Sequence, residues 1–177
     1  MRLVAFALAG LAATIGAVVL ISNEAGASND EWQAVKAAAS RYHSVAQAEA
    51  AGYSGENEPC VISPGDPLPP GGMGIHFVNE ELFEDPAINA LEPEIMLFEP
   101  SANGKLKLVG VEYMMRAADQ TPPISDSDRP FVLGVQLDGP MPEHAPGMGW
   151  HYDLHVWFWE DNPAGLFVPF NTAVSCP

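Results

Sequence analysis

Histidine, aspartate and tryptophan crowd into one short run, Trp150 to Glu160, which reads Trp-His-Tyr-Asp-Leu-His-Val-Trp-Phe-Trp-Glu. It holds three of the four tryptophans and two of the five histidines. Aromatic and branched residues are dense and no glycine or proline interrupts, so the run predicts a strand. Side chains alternate across a strand. One face therefore carries His151, Asp153, His155, Trp157 and Trp159, and the other carries Trp150, Tyr152, Leu154, Val156 and Phe158. The second face is plain core. The first mixes ring surface with imidazole and carboxylate. That suits a ligand-lined cavity, and it equally suits an aromatic face whose polar groups satisfy one another.

Metal chemistry at this run is limited by reach. His151 and His155 are four apart. On a helix that spacing serves one ion, as in H-E-x-x-H, but the glutamate is missing and the context is a strand. On a strand they stand roughly 13 Å apart, with Asp153 roughly 7 Å from each. Zinc–nitrogen bonds near 2 Å cannot span that gap. Any site must draw one histidine together with residues of other strands. The set His76, Glu112 and His155 takes one residue from each of three predicted strands. Two imidazoles and a carboxylate suit a divalent metal ion and leave positions for water or substrate. His151 and Asp153 would then line the rim as ligand-binding residues, with Trp157 and Trp159 walling the pocket. If such a metal worked in a hydrolase or oxygenase type of enzyme, Asp153 or Glu94 would have to serve as general base. The competing expectations are an exported protein that binds a small uncharged ligand there, and an envelope interaction protein with no site. The chain has no G-x-S-x-G elbow, no P-loop and no G-x-G-x-x-G after a strand. No nucleotide or flavin cofactor is therefore expected, and no catalytic residue is assigned.

Several elements must position these residues. Glu31 to Ala51 predicts a helix with an apolar stripe of Trp32, Val35, Ala39, Tyr42, Ala46 and Ala50, capped by Asn29 or Asp30 and ended by Gly52. His43 lies beside the stripe. Ser54 to Gly74 is dense in proline and glycine and predicts a long loop. Gly74 to Asn79 begins the sheet, and the glycines before His76 admit another backbone or a ligand. Glu80 to Leu91 is an acidic connector. Glu94 to Glu99 and Lys105 to Met115 form a hairpin about Asn103-Gly104. Glu112 is a carboxylate within an otherwise apolar arm, facing either a site or, on an edge strand, water. Phe131 to Leu137 predicts a strand. Asp138 to Gly149 is a second loop, with His144 exposed. Leu166 to Phe170 returns as a strand after the turn Asn162 to Gly165. The expected fold is α+β: one N-terminal helix and a mainly antiparallel sheet of about six strands, curled or barrel-like.

Composition narrows the partners. The chain has 177 residues, with 47% hydrophobic and 17% charged, which suits one globular domain. A net charge of −16 argues against nucleic acid and against anionic membrane surfaces. It is compatible with a metal ion as partner, and also with acidity that only maintains solubility. Met1-Arg2, the apolar run Leu3 to Ile21 and Ala25-Gly26-Ala27 predict a signal peptide over 1–27 and a domain over 28–177. The apolar run also suits an uncleaved anchor. In either case the domain is expected outside the cytoplasm, periplasmic or extracellular, with no stable membrane insertion once the signal is cleaved. Cys60 and Cys176 are the two cysteines. In an oxidising compartment they predict a disulfide.

Gly72 to Asn79, Pro93-Glu94 with Glu99-Pro100, Leu108 to Tyr113, and His151 to Trp159 running into Asn162 to Phe167 and Ser175-Cys176 together resemble a group of uncharacterised exported bacterial proteins. Arg41-Tyr42-His43 and Ala51-Gly52-Tyr53 extend the likeness over nearly all of the domain. The resemblance implies a single-domain exported protein. The group has no established activity, so no site residue comes from it.

Overall fold

The computed structural model describes residues 28–55 and 59–176. The expected signal peptide lies outside the described residues. No helix among them is long and apolar enough to cross a membrane.

Helix α1 (Asn29–Ala39) starts with a capping box. The Ser28 side chain accepts from Glu31 N–H and the Glu31 carboxylate accepts from Ser28 N–H, which satisfies two end groups at once. The cap is Ser28, one residue before Asn29 and two before Asp30, the caps expected. The predicted single helix does not run through. Ser40 Oγ donates to Lys36 O at 2.6 Å, a bond that competes with the helical ladder. The chain then tightens into a 3-10 turn (Ser40–His43) and Ser44 is extended. Helix α2 (Val45–Ala50) restarts with a new phase. Val35, Ala39 and Tyr42 are buried as the stripe predicts, but beyond Ser44 the buried residue is Ala48, while Ala46 and Ala50 face out. Gly52, at φ +93°, ends α2 where expected.

The strands are β1 (Tyr53–Ser54), β2 (Val61–Ile62), β3 (Gly72–Asn79), β4 (Ile95–Pro100), β5 (Leu106–Arg116), β6 (Phe131–Val132), β7 (Val135–Gln136), β8 (Asp138–Met141) and β9 (His151–Val156). The main sheet runs β1-β3-β4-β5-β9-β8, with β2 also paired to β3, and every pairing is antiparallel. The α+β class and antiparallel sheet stand. The barrel does not: β1 and β8 are unjoined edges, so the sheet is open, and the described strands exceed six.

Three strand expectations change. Phe131 to Leu137 is not one strand but the small hairpin β6–β7, turned by Leu133 and Gly134, both at positive φ. The aromatic strand stops at Val156, because beyond it Trp157 N–H donates to Leu166 O and Trp159 N–H to Val109 O. Leu166 to Phe170 consequently serves as an irregular partner rather than a returning strand. The β4–β5 hairpin forms about Asn103-Gly104 as predicted, closed by Ser101 N–H to Lys105 O at 2.8 Å.

Register assigns the faces. One face of the sheet carries Phe77, Met96, Phe98, Val111, Tyr113, Tyr152 and Leu154, packed with Val35, Ala39, Tyr42 and Ala48 of the helical layer. The opposite face carries Ile95, Leu97 and Met114. They pack with Trp157, with Phe83 of the short helix α3 (Glu80–Glu84), and with Val174 near the end of the chain. Both layers bury β5, whose residues Leu108 to Met114 are all inaccessible. Each large side chain so buried stabilises by roughly 1.5–3 kcal/mol.

Cys60 and Cys176 are disulfide-bonded, with Cα atoms 5.5 Å apart across 116 positions. The bond ties the segment carrying Val174 beside β3. The glycines expected to admit a close neighbour do so for backbone: a Cβ on Gly74 would lie 2.6 Å from Phe98 O.

Candidate metal centre

The second face of the sheet brings the predicted set together. Val78, Ile95, Glu112 and His155 form one cross-strand row, and His76, Leu97 and Gly110 form the next. His155 is directly opposite Glu112, so their side chains share a face. His76 must cross β4 to reach them, since β3 and β5 are about 10 Å apart at two strand spacings. It does so diagonally. His76 Nε2 lies 3.2 Å from Glu112 Oε2, and His155 Nε2 lies 3.6 Å from the same oxygen. One ligand atom from each residue lies within 4.8 Å of the others, and the group could hold a metal ion. Glu112 and His155 are each 1% exposed. Of the three, the His76 side chain alone reaches solvent appreciably, at 16%. The edge-strand alternative for Glu112 is therefore excluded: β5 is central and the carboxylate is buried.

The contacts do not satisfy the groups that make them. Glu112 Oε2, His155 Nδ1 and His155 Nε2 have no hydrogen-bond partner among the described residues. Neither approach to Glu112 Oε2 has hydrogen-bond geometry, although both are short. An ion about 2 Å from each ligand would see the 3.2 and 3.6 Å edges at angles of about 105° and 130°, on either side of the tetrahedral value. Burying a carboxylate without a full partner costs several kcal/mol, so its presence within a strand needs a compensating charge.

Electrostatics point the same way. Burial opposes ionisation of Glu112, but the His155 and His76 rings beside it, with His151 farther off, outweigh burial and hold its carboxyl low. Burial lowers the pKa of His155, against the opposing pull of Glu112. Neutral imidazole and ionised carboxylate are the forms that ligate a metal. Burial pushes Asp153 well up, reinforced by the charges of Glu112 and Asp138.

The remaining predicted residues are placed unequally. Trp157 stands beside the group: its ring is stacked 6.3 Å from His155 and its Nε1–H donates to Val168 O at 2.7 Å. Gly110 makes room, since a Cβ there would lie 2.7 Å from Val156 O and 3.3 Å from the Trp157 ring. Trp159 is not with the group. The strand has ended, alternation is lost, and its ring lies 5.0 Å from His43 in the helical layer. Asp153 and His151 follow His155 along the same face but lie outside the three-residue group. Glu94 immediately precedes β4; its Oε2 accepts from Met114 N–H at 3.0 Å, and burial raises its pKa to about 8. A carboxyl protonated and engaged in this way is a poor general base at neutral pH.

Two surface grooves lie elsewhere. One, of about 510 Å³, is lined by Pro86, Ile88, Met115 and Phe131, and the other, of about 310 Å³, by Ile62, Pro70 and Val174. Neither is lined by the aromatic strand. Sequence reasoning did not connect His144 with any site, yet its ring lies 5.0 Å from that of His151. Their separation of seven positions carried no signal, because a loop with two positive-φ glycines folds one toward the other.

Comparison of the chain with known protein families, with curated proteins and with solved structures finds no match.

Proposed function

We propose that this is an exported protein that binds one divalent transition-metal ion through His76, Glu112 and His155. The observation that carries the reading is the convergence of three ligand atoms on one buried point, two of them without any hydrogen bond. The donor set of two imidazoles and one carboxylate fits zinc and its first-row neighbours better than calcium or magnesium, which prefer oxygen. The apolar shell of Ile95, Leu97, Val109 and Trp157 strengthens attraction between an ion and Glu112 by excluding water. Export rests on the N-terminal sequence pattern, and the disulfide is consistent with it.

A catalytic role for the ion is the second reading. Three protein ligands leave a position for water, and His76 gives that position a path to solvent. Asp153, and Asp138 opposite it on β8, are the further carboxyls on the same face, and burial raises the pKa of Asp153 as it does that of Glu94.

Elemental analysis of the protein purified without a histidine tag, beside His155→Ala, tests the reading. About one equivalent of metal is expected in the wild type and none in the variant, with both shown folded by their unfolding transitions. Two folded proteins that hold no metal, even after dialysis against Zn²⁺, would retire the site.

A further inference from the structure

Farther along the same face, two histidines outside the inner group stand side by side. His151 is fully buried and lies opposite Arg116 at the start of β9. Its Nδ1 is 2.9 Å from Gly149 O. A carbonyl only accepts, so Nδ1 carries the proton and Nε2 is a bare lone pair. That Nε2 is inaccessible and has no hydrogen-bond partner among the described residues. Beside the His151 ring is a second imidazole: the exposed His144 ring lies 5.0 Å away, centroid to centroid, with the planes at 52°. Two imidazoles on one tetrahedral ion place their centroids about 5 Å apart, given metal–nitrogen bonds of about 2 Å. Metal-bound histidines commonly donate the other ring N–H to a carbonyl, which is what Gly149 O provides here.

The loop that presents these groups is held from outside. Arg116 Nη1 donates to Gly147 O and to Met148 O, both at 2.6 Å, and Arg116 Nη2 pairs with Glu84 at 2.8 Å. Gln120 Oε1 accepts from Trp150 N–H at 2.8 Å. It crowds Gly149 so closely that a Cβ would lie 2.4 Å from it. Gly149, at φ +64°, is thereby set to direct its carbonyl at His151.

We propose that His144 and His151 form a second metal site, which takes an imidazole-seeking cation of the zinc, copper or nickel class and completes its shell with water. It uses none of the inner ligands and does not depend on the inner reading. With two protein ligands and no carboxylate, it binds more weakly than a three-ligand buried site. Its outer side, at His144, is open to solvent, while its inner side at His151 is not.

The test is equilibrium dialysis and calorimetric titration of the purified, disulfide-intact protein with Zn²⁺ alone. His144→Ala and His76→Ala serve as separate variants, and a surface change at His43→Ala controls for adventitious imidazole binding. Because His144 is exposed, its removal leaves the fold intact. The expected wild-type isotherm has two classes of site. His144→Ala loses the weaker class, with at least a tenfold fall in its affinity, and keeps the tighter. His76→Ala does the reverse, and His43→Ala matches the wild type. A His144→Ala isotherm that superimposes on the wild type, or a wild type with only the class that His76→Ala removes, overturns the proposal. One class removed by His144→Ala and untouched by His76→Ala would uphold the outer site and reject the inner one.

Discussion

Glu94→Gln should stabilise this protein in alkaline solution and leave it nearly unchanged in acid. Glu94 is 2% exposed, and burial raises its pKa from the ordinary 4.5 to about 8, with the Glu112 and Asp85 charges adding to the shift. Between those two values the folded protein holds a proton that the unfolded chain has released. Stability attributable to the group is therefore intact below pH 4.5 and falls as pH rises toward 8. At 1.36 kcal/mol per pKa unit, the loss is about 1 kcal/mol at pH 5, about 3 at pH 7 and about 5 at pH 9. Glutamine keeps an oxygen to accept from Met114 N–H and removes the charge. Urea unfolding of both proteins at pH 5, 7 and 9, with chelator present throughout, measures the difference, in which titrations common to both cancel. The variant should gain about 4 kcal/mol on the wild type between pH 5 and pH 9. Parallel curves would refute the reasoning and would return Glu94 to the set of available bases.

Further perturbations test other parts of the structure. Cys176→Ser opens the link across 116 positions and should destabilise the protein by about 5 kcal/mol in denaturant titrations, a large share of a typical domain's stability. Gly110→Ala, with its Cβ driven against Val156 O and Trp157, should destabilise by about 1–3 kcal/mol by the same measurement, and an unchanged midpoint would contradict the close packing at the row beside Glu112. Zn²⁺ at a hundred times its dissociation constant for the inner site should add about 2.7 kcal/mol. That should raise the Tm of a chain this size by about 5–10 °C in differential scanning fluorimetry. His76→Ala should abolish most of that rise, and a rise of equal size in the variant would argue against His76 as a ligand.

Local chemistry made parts of this fold legible. Asn103-Gly104 imposes its turn wherever it sits between strands, and the stripe Val35, Ala39, Tyr42 follows helical period until Ser44 resets it. Alternation placed His155 and Glu112 on definite faces of their strands, which is why three isolated residues could be joined before any pairing was known. Pairing itself was not legible. The aromatic run looked like one strand to Glu160 because nothing local signals that Trp157 N–H will find Leu166 O. With the bond from Trp159 N–H to Val109 O, that bond ends the alternation that would have kept Trp159 on the face of the site. Barrel closure likewise depends on whether β1 and β8 meet, which no residue in either strand specifies. The His144–His151 proximity depends on loop path, and sequence spacing does not encode it.

The three residues of the inner group are scattered along the chain: 36 positions separate His76 from Glu112, and 43 separate Glu112 from His155. No hairpin or helix among the described residues contains two of them. The three side chains meet only when β3, β4, β5 and β9 have all aligned in one register, and a one-residue slip would turn one of them to the opposite face. A bound ion would therefore act as a proofreader of topology. It would reward the finished sheet, ignore partly assembled intermediates, and be released by any excursion that unzips a single strand.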